Sequence, residues 1–271
     1  MNIIGQKTLL QKFADAVETG FPVFTIIHGS RGGGKKLIAH KVAQDLGGVV
    51  VDCGITVADV RTVIENSYKT RTKTVYIFGD ADRMSNEAKS ALLKITEEPP
   101  NNSYFIMTIQ SVASMPETIL SRAALYRLDG YTYVDIVDYC HSLGVDPVAQ
   151  DVCVTPGDVQ ILKECGVEPF LDYVDLVFDN IAEVGTANSL KIGDKIALKE
   201  NAQGYDLELF WRAFIRKCMT ELGKTDNFDE QVRYSKGSRL TRKYLSELSI
   251  RGINKNMLFL DWVLQLRKEW Q

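Results

Sequence analysis

The stretch Gly29-Ser30-Arg31-Gly32-Gly33-Gly34-Lys35-Lys36 decides the fold of this chain. It follows an apolar run at residues 21–27, typical of a strand, and precedes residues 35–46, which have the pattern of a helix. In such a place a glycine-rich loop lets backbone N–H groups curve around an anion, and the helix N-terminus adds partial positive charge. The candidate residues for holding the phosphates of a nucleotide are Gly29, Gly32, Gly34, Lys35 and Lys36.

The loop departs from the usual phosphate-binding pattern at its last position. Lys35 stands where a lysine reaches the outer phosphates, but Lys36 stands where a Ser or Thr hydroxyl would hold Mg²⁺. Because an ammonium group cannot ligate a metal, the sequence is compatible with bound ATP and does not support bound Mg²⁺. A glycine-rich turn that binds nothing is the alternative interpretation.

Around this loop, short apolar runs alternate with amphipathic segments from about residue 5 to residue 129. The predicted strands are 21–27, 49–51, 74–78, 104–109 and 124–128, and the predicted helices between them are 35–46, 57–68 and 86–96. Strands that are apolar on both faces and alternate with helices indicate a parallel sheet covered on each side. The expected fold class is α/β, with a parallel five-stranded sheet.

After Gly130 the sequence predicts helices and no convincing strand. The predicted helices are 132–143, 157–165, 168–184, 189–199, 206–222, 238–248 and 256–270. A second boundary is predicted near Gly185-Thr186. We therefore predict an α/β nucleotide-binding-like domain at 1–129, a small helical domain at 130–184 and an all-helical domain at 185–271.

Composition narrows the class of protein. The formal net charge of -3 argues against a chain that coats nucleic acid everywhere, yet it allows a local basic face. No signal peptide and no apolar run of roughly 18 residues is visible, so we expect a cytoplasmic protein that makes no membrane contact. Scattered cysteines without a CxxC pair signal neither a disulfide framework nor a zinc site. They are Cys53, Cys140, Cys153, Cys165 and Cys218.

Four further segments carry a family resemblance. Residues 90–100 (SALLKITEEPP) strongly resemble the ALLK-x-x-EEPP signature of clamp-loader subunits of the AAA+ superfamily. Residues 116–123 (PETILSRA), 4–6 (IGQ) and 155–160 (TPGDVQ) are similar to that family's P-x-TILSRC, IGQ and GD-x-R motifs. The segments occur in family order, whereas the C-terminal third matches only as a helical domain. In this family the two helical domains are a lid and an oligomerisation collar.

The resemblance implies which hydrolytic positions have changed. Aligned through the EEPP segment, the metal-binding Asp falls on Gly79 and the catalytic Glu on Asp80, while the second-sensor Arg falls on Gln160. A glutamine supplies no fixed positive charge to the γ-phosphate. Three hydrolytic positions, Lys36, Gly79 and Gln160, are therefore lost, a combination similar to the delta-prime type of bacterial DNA polymerase III subunit. Asp80 and Gln160 join the candidate nucleotide-site residues on this ground.

Arg122 is the one catalytic candidate. In the resembling family the arginine of the SRC segment reaches across a subunit interface and acts as an arginine finger on the neighbour's ATP. The resemblance therefore implies that Arg122 works in trans. A surface arginine at a strand–loop junction is the alternative.

The resemblance also implies DNA contact, which three sets of residues could make. The helix after the strand tip is favoured, because the family grips primer-template DNA mainly from its α/β domains. For the other two sets, a solvated helix face is the favoured interpretation. The sets are Ser85, Asn86 and Lys89; Arg212, Arg216 and Lys217; and Arg233, Lys236, Arg239, Arg242 and Lys243.

Two functions of different class follow. The favoured one is a non-hydrolysing stator subunit in DNA replication, whose partners are other clamp-loader subunits, the sliding clamp and primer-template DNA. The competing one is an active, self-assembling ATPase of the phage clamp-loader kind, which Lys35 and Arg122 support. A weaker alternative is an unrelated P-loop nucleotide enzyme.

Overall fold

The computed structural model describes residues 3–182, 192–198, 204–248, 250 and 252–271 of the 271-residue chain. Its contacts divide the chain into two compact units. The first comprises Met1–Asp135 and Thr155–Gly157, and the second comprises Ile136–Val154 and Asp158–Gln271. Among the helices of the described ranges, none combines the length and apolar character needed to cross a membrane.

The first unit is a sheet with helices on both faces. Its strands are β1 (Phe24–His28), β2 (Val49–Cys53), β3 (Thr74–Phe78), β4 (Ser103–Ile109) and β5 (Ala124–Arg127). Its helices are α1 (Lys7–Thr19), α2 (Lys35–Asp45), α3 (Val57–Lys69), α4 (Asn86–Glu97) and the single turn α5 (Glu117–Leu120). All pairings are parallel, in the order β2-β3-β4-β1-β5. The carboxyl ends of all five strands therefore lie at one edge of the sheet, where α/β proteins bind ligands.

Alternation along the central strands explains why both faces of the sheet are buried. On β3, Tyr76 and Phe78 pack into the core on one face, whereas Val75 and Ile77 pack into the core on the other. Successive strand residues point to opposite faces, so a strand covered on both sides must be apolar throughout. The edge strand β2 lacks this double cover, and its Val49 is 58% exposed.

Most of the second unit is helical. Its helices are α6 (Tyr133–Leu143) and α7 (Pro156–Cys165), whose first residues belong to the first unit, and α8 (Val167–Asn180), α9 (Leu207–Leu222), α10 (Phe228–Glu247) and α11 (Lys255–Trp270). An aromatic core joins the last three helices: Trp262 contacts Trp211 and Phe214 by ring packing, and its indole N–H donates to Thr241 Oγ1 at 3.0 Å. The hydrogen bond satisfies the indole's one donor and so lets the side chain be fully buried.

The α/β fold class and all five predicted strands are confirmed, and β3 has the predicted bounds. Three helix predictions were incomplete. Helix α1 was not predicted, and α10 begins ten residues before the predicted start at 238. Residues 193–198, predicted as helix, form a turn and a bridge between Ile196 and Tyr205.

Some predictions are not tested. Residues 189–191 and 199 of that same helix, and the predicted boundary at Gly185-Thr186, lie outside the described residues. The division of the helical part into a lid and a collar domain stays a prediction.

Candidate nucleotide site and interface arginine

The glycine loop follows β1 at the carboxyl edge of the sheet and begins α2. Two of its glycines are required by their surroundings. A Cβ on Gly29 (φ 153°) would lie 2.7 Å from Leu128 Cβ, and one on Gly32 (φ 72°) would lie 2.6 Å from Thr155 Oγ1. Only residues without a Cβ fit these positions, so the loop keeps its backbone exposed to a ligand as a phosphate cradle requires.

Lys35 closes the loop from inside. Its side chain is 7% exposed, and Nζ donates to the carbonyl oxygens of Gly29 at 2.9 Å and Ser30 at 2.8 Å. Burial lowers the pKa of Lys35, while the carboxylates of Asp80 and Asp82 act in the opposite direction. The ammonium group is thus held at the centre of the loop, and a bound phosphate would compete with the two carbonyls for it.

Lys36 passes close to Gly79. A Cβ on residue 79 would lie 3.8 Å from Lys36 Cδ, an ordinary van der Waals distance, so the stem of Lys36 runs beside the tip of β3. Lys36 Nζ continues to Asp52 Oδ1 on β2, 3.0 Å away. Burial opposes the shift, but hydrogen bonding from Lys36 and attraction to His40 hold the pKa of Asp52 below its ordinary value.

These residues do not fit Mg²⁺. AAA+ P-loop proteins hold it with a loop hydroxyl and a carboxylate at the tip of the third strand. In the alignment that the motif resemblance implies, an ammonium and a glycine stand at those positions, and no group of three potential metal ligands occurs in the described part of the chain. The loop and Lys35 fit phosphates, since their donors are backbone N–H groups and a cation.

The tip of β3 is shaped by local backbone interactions. Asp80 adopts the left-handed conformation (φ 48°), and its N–H donates to Thr108 Oγ1 at 3.1 Å. A short 3-10 turn at Ala81–Arg83 follows. Ser85 then caps α4 by accepting from the N–H of Ala88, as helix-start chemistry predicts. Asp80 lies at the carboxyl edge with the glycine loop, and its charge acts on Lys35.

Gln160 lies on α7 in the second unit. Its Nε2 donates to the hydroxyl of Tyr139 at 2.7 Å, a contact within that unit. In this hydrogen bond the side-chain amide of Gln160 is an uncharged donor. The position has no guanidinium to stabilise developing phosphate charge.

Arg122 lies at the opposite edge of the sheet from the glycine loop. It precedes β5, which pairs with β1 from Thr25↔Ala124 to His28↔Arg127, whereas the loop follows β1. At about 3.3 Å per residue, this pairing alone spans roughly 10 Å. Arg122 therefore lies at the edge of the sheet away from the phosphate cradle of its own chain, and its guanidinium contacts Thr118 and Glu97.

Glu97 holds Arg122 in place, and sequence reasoning missed it. Arg122 donates through NH1 to the Thr118 carbonyl at 2.8 Å and through NH2 to Glu97 Oε1 at 3.2 Å. The side chain stays 38% exposed. Both partners belong to the motifs that carry the family resemblance, so motif membership was the available signal.

Among the DNA-contact candidates, the interpretation of Lys89 was wrong. It is 2% exposed, and its Nζ donates to the Ser114 carbonyl at 2.7 Å, so it cannot reach a phosphate without leaving the core. Asn86 is exposed at the start of α4. The cluster on α9 is ion-paired: Arg212 with Asp158 and Glu208, Arg216 with Asp151, and Lys217 with Asp175 and Glu221.

Comparison with known proteins agrees with this architecture. The five parallel strands and the glycine loop after β1 have the arrangement of a P-loop α/β domain. Over 97% of this chain, the fold matches a DNA polymerase III gamma subunit-related protein from Thermotoga maritima, with a TM-score of 0.53, 16% identity and 99% of that chain covered. It also matches Thermotoga maritima RuvB, a Holliday junction branch migration motor, with a TM-score of 0.51, 15% identity and 88% of that chain covered.

Within that class the chain is similar to clamp-loader-type subunits, which confirms the resemblance carried by its motifs. Residues 54–132 match the family described as DNA polymerase III, delta subunit. The gamma subunit of Buchnera aphidicola (subsp. Schizaphis graminum) is 28% identical over 176 residues, 51% of this chain and 47% of that protein. The delta' subunit of Haemophilus influenzae is 37% identical over 79 residues, 28% of this chain and 24% of that protein. The chain thus spans about half the length of the first relatives, 47% and 44%.

Proposed function

We propose that this chain is a stator-type subunit of a clamp loader in DNA replication. It assembles with other clamp-loader subunits in the cytoplasm, helps to load the sliding clamp on primer-template DNA, and hydrolyses little or no ATP itself. The observation that carries the proposal is the occurrence of Lys36 and Gly79 side by side, because an ammonium and a glycine then stand where the family has both protein ligands of the catalytic metal.

Loss of the metal ligands bears directly on hydrolysis. In P-loop enzymes Mg²⁺ bridges the β- and γ-phosphates and neutralises charge that develops in the transition state, a stabilisation worth several kcal/mol. Gln160 removes the second fixed positive charge, and Asp80 stands at the position of the catalytic Glu. The remaining donors, the loop N–H groups and Lys35, can bind a triphosphate without activating water.

The role of Arg122 is to act on a neighbouring subunit. The proposal is supported by its place at the amino end of β5, its exposed guanidinium and its attachment to Glu97. An arginine that cannot reach its own loop, yet is held in one orientation at the surface, suits a finger offered in trans. Arginine fits this task because its planar fork can contact phosphate oxygens with two parallel hydrogen bonds.

One observation favours the competing function, an active ATPase. Asp82 Oδ1 is buried with no hydrogen-bond partner among the described residues, and the charge of Asp82 acts on Lys35. A buried carboxylate oxygen without a hydrogen-bond partner, whose charge acts on Lys35, could hold a metal-bound or attacking water. This alternative requires Asp82 to replace the function of Gly79 from three residues farther along the chain.

Steady-state ATP hydrolysis by the purified chain separates the two functions. We expect a rate indistinguishable from that of a Lys35→Ala control, which defines contaminating activity. A turnover of about one per second, at the low end of ordinary enzymes, that disappears in the Lys35→Ala variant would establish the ATPase and remove the stator function. If Asp82→Asn also abolished it, Asp82 would be the carboxylate responsible.

A further inference from the structure

The outward face of α10 carries an unusual concentration of positive charge. Between residues 231 and 246 the helix has five basic residues and no acidic one. Its opposite face is buried through Gly237, Ser238, Thr241 and Tyr244. The basic residues recur every three or four positions, so several of them share one side of the helix.

Lys236, Arg239 and Lys243 line a shallow groove on this face, named here the cationic groove. Its one acidic lining residue, Glu269, pairs with Lys236 at 3.0 Å. Arg239 is exposed and makes no ion pair within the described ranges. Lys243 is exposed, and its ammonium lies 5.6 Å from the ring centre of Tyr244. Two of the three cations therefore remain available to an anion.

The groove differs in this respect from the other basic cluster of the second unit. On α9, each of Arg212, Arg216 and Lys217 contacts at least one carboxylate. Those charges are neutralised locally and gain little from a further anion. Since the whole chain carries a net charge of -3, attraction of a polyanion to α10 has to arise from the groove itself and not from the bulk charge.

The spacing of the cations suits a nucleic-acid strand. From residue 236 to residue 243 the helix rises about 10 Å at 1.5 Å per residue, long enough for the cations to contact more than one phosphate of the same strand. The neighbouring aromatic rings of Tyr244 and Trp270 are buried in the helical core, so none is offered for base stacking. Cations without stacking rings contact the backbone and leave the base sequence unread.

We propose that the cationic groove of α10 binds the phosphate backbone of a DNA strand without sequence preference. The contact is separate from the nucleotide loop and from Arg122, and it belongs to this chain alone. It requires neither ATP nor a partner subunit.

The test is DNA binding by the full chain, measured by fluorescence anisotropy with a labelled oligo-dT strand and a labelled mixed-sequence strand across a salt series. The groove variant is Arg239→Gln/Lys243→Gln. The matched control is Arg216→Gln/Lys224→Gln, which removes the same charge from exposed residues that already pair with Asp151 and Glu221. Circular dichroism and thermal unfolding of both variants verify that the helices are intact.

We expect the groove variant to bind the oligonucleotides roughly 25-fold more weakly than wild type near 0.1 M salt. Its plot of log affinity against log salt concentration should be shallower by about 1.4, because each of the two lost phosphate contacts on a single strand contributes about 0.7. The control should bind like wild type, and both strands should bind alike. Equal losses in the two variants would show a bulk-charge effect and overturn the proposal. So would an unchanged groove variant, or a wild-type chain that fails to bind at low salt. A strong preference for one strand sequence would contradict backbone contact.

Discussion

Restoring the metal ligands should make nucleotide binding depend on Mg²⁺, and this can be tested with two substitutions. In the wild-type chain the Lys36 ammonium reaches Asp52 past Gly79. The side chains of Lys36 and Asp52 are 57% and 50% exposed, so their ion pair contributes at most about 1 kcal/mol. Turning Lys36 toward a phosphate thus costs at most about fivefold in affinity.

We expect the wild-type dissociation constant for ATP to differ little between Mg²⁺ and EDTA, because Lys36 and Gly79 present no side-chain oxygen to the metal. In Lys36→Thr/Gly79→Asp, a hydroxyl and a carboxylate replace the ammonium and the hydrogen atom. Binding should then be at least about tenfold tighter with Mg²⁺, equivalent to about 1.4 kcal/mol. Gly79→Asp alone should gain no such dependence, since its carboxylate would lie beside the stem of Lys36.

Isothermal titration calorimetry measures the dissociation constant for ATP of each chain, once with MgCl₂ and once with EDTA. Lys36→Thr alone is the control for lost positive charge. A wild-type chain that needs Mg²⁺ would refute the assignment of the metal positions to Lys36 and Gly79. A wild-type chain that binds ATP under neither condition would refute the phosphate cradle itself.

Two further expectations concern stability. Lys89→Met should lower the free energy of unfolding by about 1–3 kcal/mol by leaving the part-buried Ser114 carbonyl without this donor, and should leave DNA affinity unchanged. Urea denaturation checks the first part, and unchanged stability with lost DNA binding would restore Lys89 as a DNA contact. Gly32→Ala should destabilise more than Gly47→Ala: both have positive φ, which costs about 1–2 kcal/mol, but only the Gly32 methyl group meets neighbouring atoms. Equal losses of unfolding free energy in the two glycine variants, measured in urea, would show that the loop moves to accommodate a methyl group at residue 32.

The sheet could be predicted because burial dictates its sequence. Residues 75–78 pack alternately into the cores on the two faces of the sheet, and a strand between two layers of helices needs such a run of core residues. The start of α10 could not be placed, because polar residues and Gly237 resemble a break. In the structure a Cβ at Gly237 would lie 2.7 Å from Trp270, so the glycine serves close packing inside the helix. Helix α1 could have been found from Leu9 and Phe13, which are buried four residues apart.

Part of the candidate site could likewise be predicted from the sequence, and part could not. The glycine loop and the changed positions at Lys36 and Gly79 are local in sequence, so a motif is sufficient to find them. The buried Lys89 contacts Ser114, and Glu97 contacts Arg122. In each pair the two residues are 25 positions apart in the sequence. Charged side chains are ordinarily exposed, and no local pattern reports which of them the fold will cover or pair.

The most direct test of the stator proposal is the steady-state ATPase rate of the reconstituted clamp loader with primed DNA and clamp, comparing wild type with Arg122→Ala. Loss of a finger arginine costs on the order of 10³-fold at the affected site, and we expect a smaller loss in the whole complex because one of several sites is changed. Arg122→Lys should rescue little, since a point charge cannot replace the planar fork.

The matched control is Arg71→Ala, an exposed arginine in the turn between α3 and β3 at the same edge of the sheet. It should leave the rate unchanged, and Arg122→Ala should leave folding and ATP binding by the isolated chain unchanged. A complex containing Arg122→Ala that hydrolyses ATP at the wild-type rate would contradict the account and leave Arg122 as a surface residue.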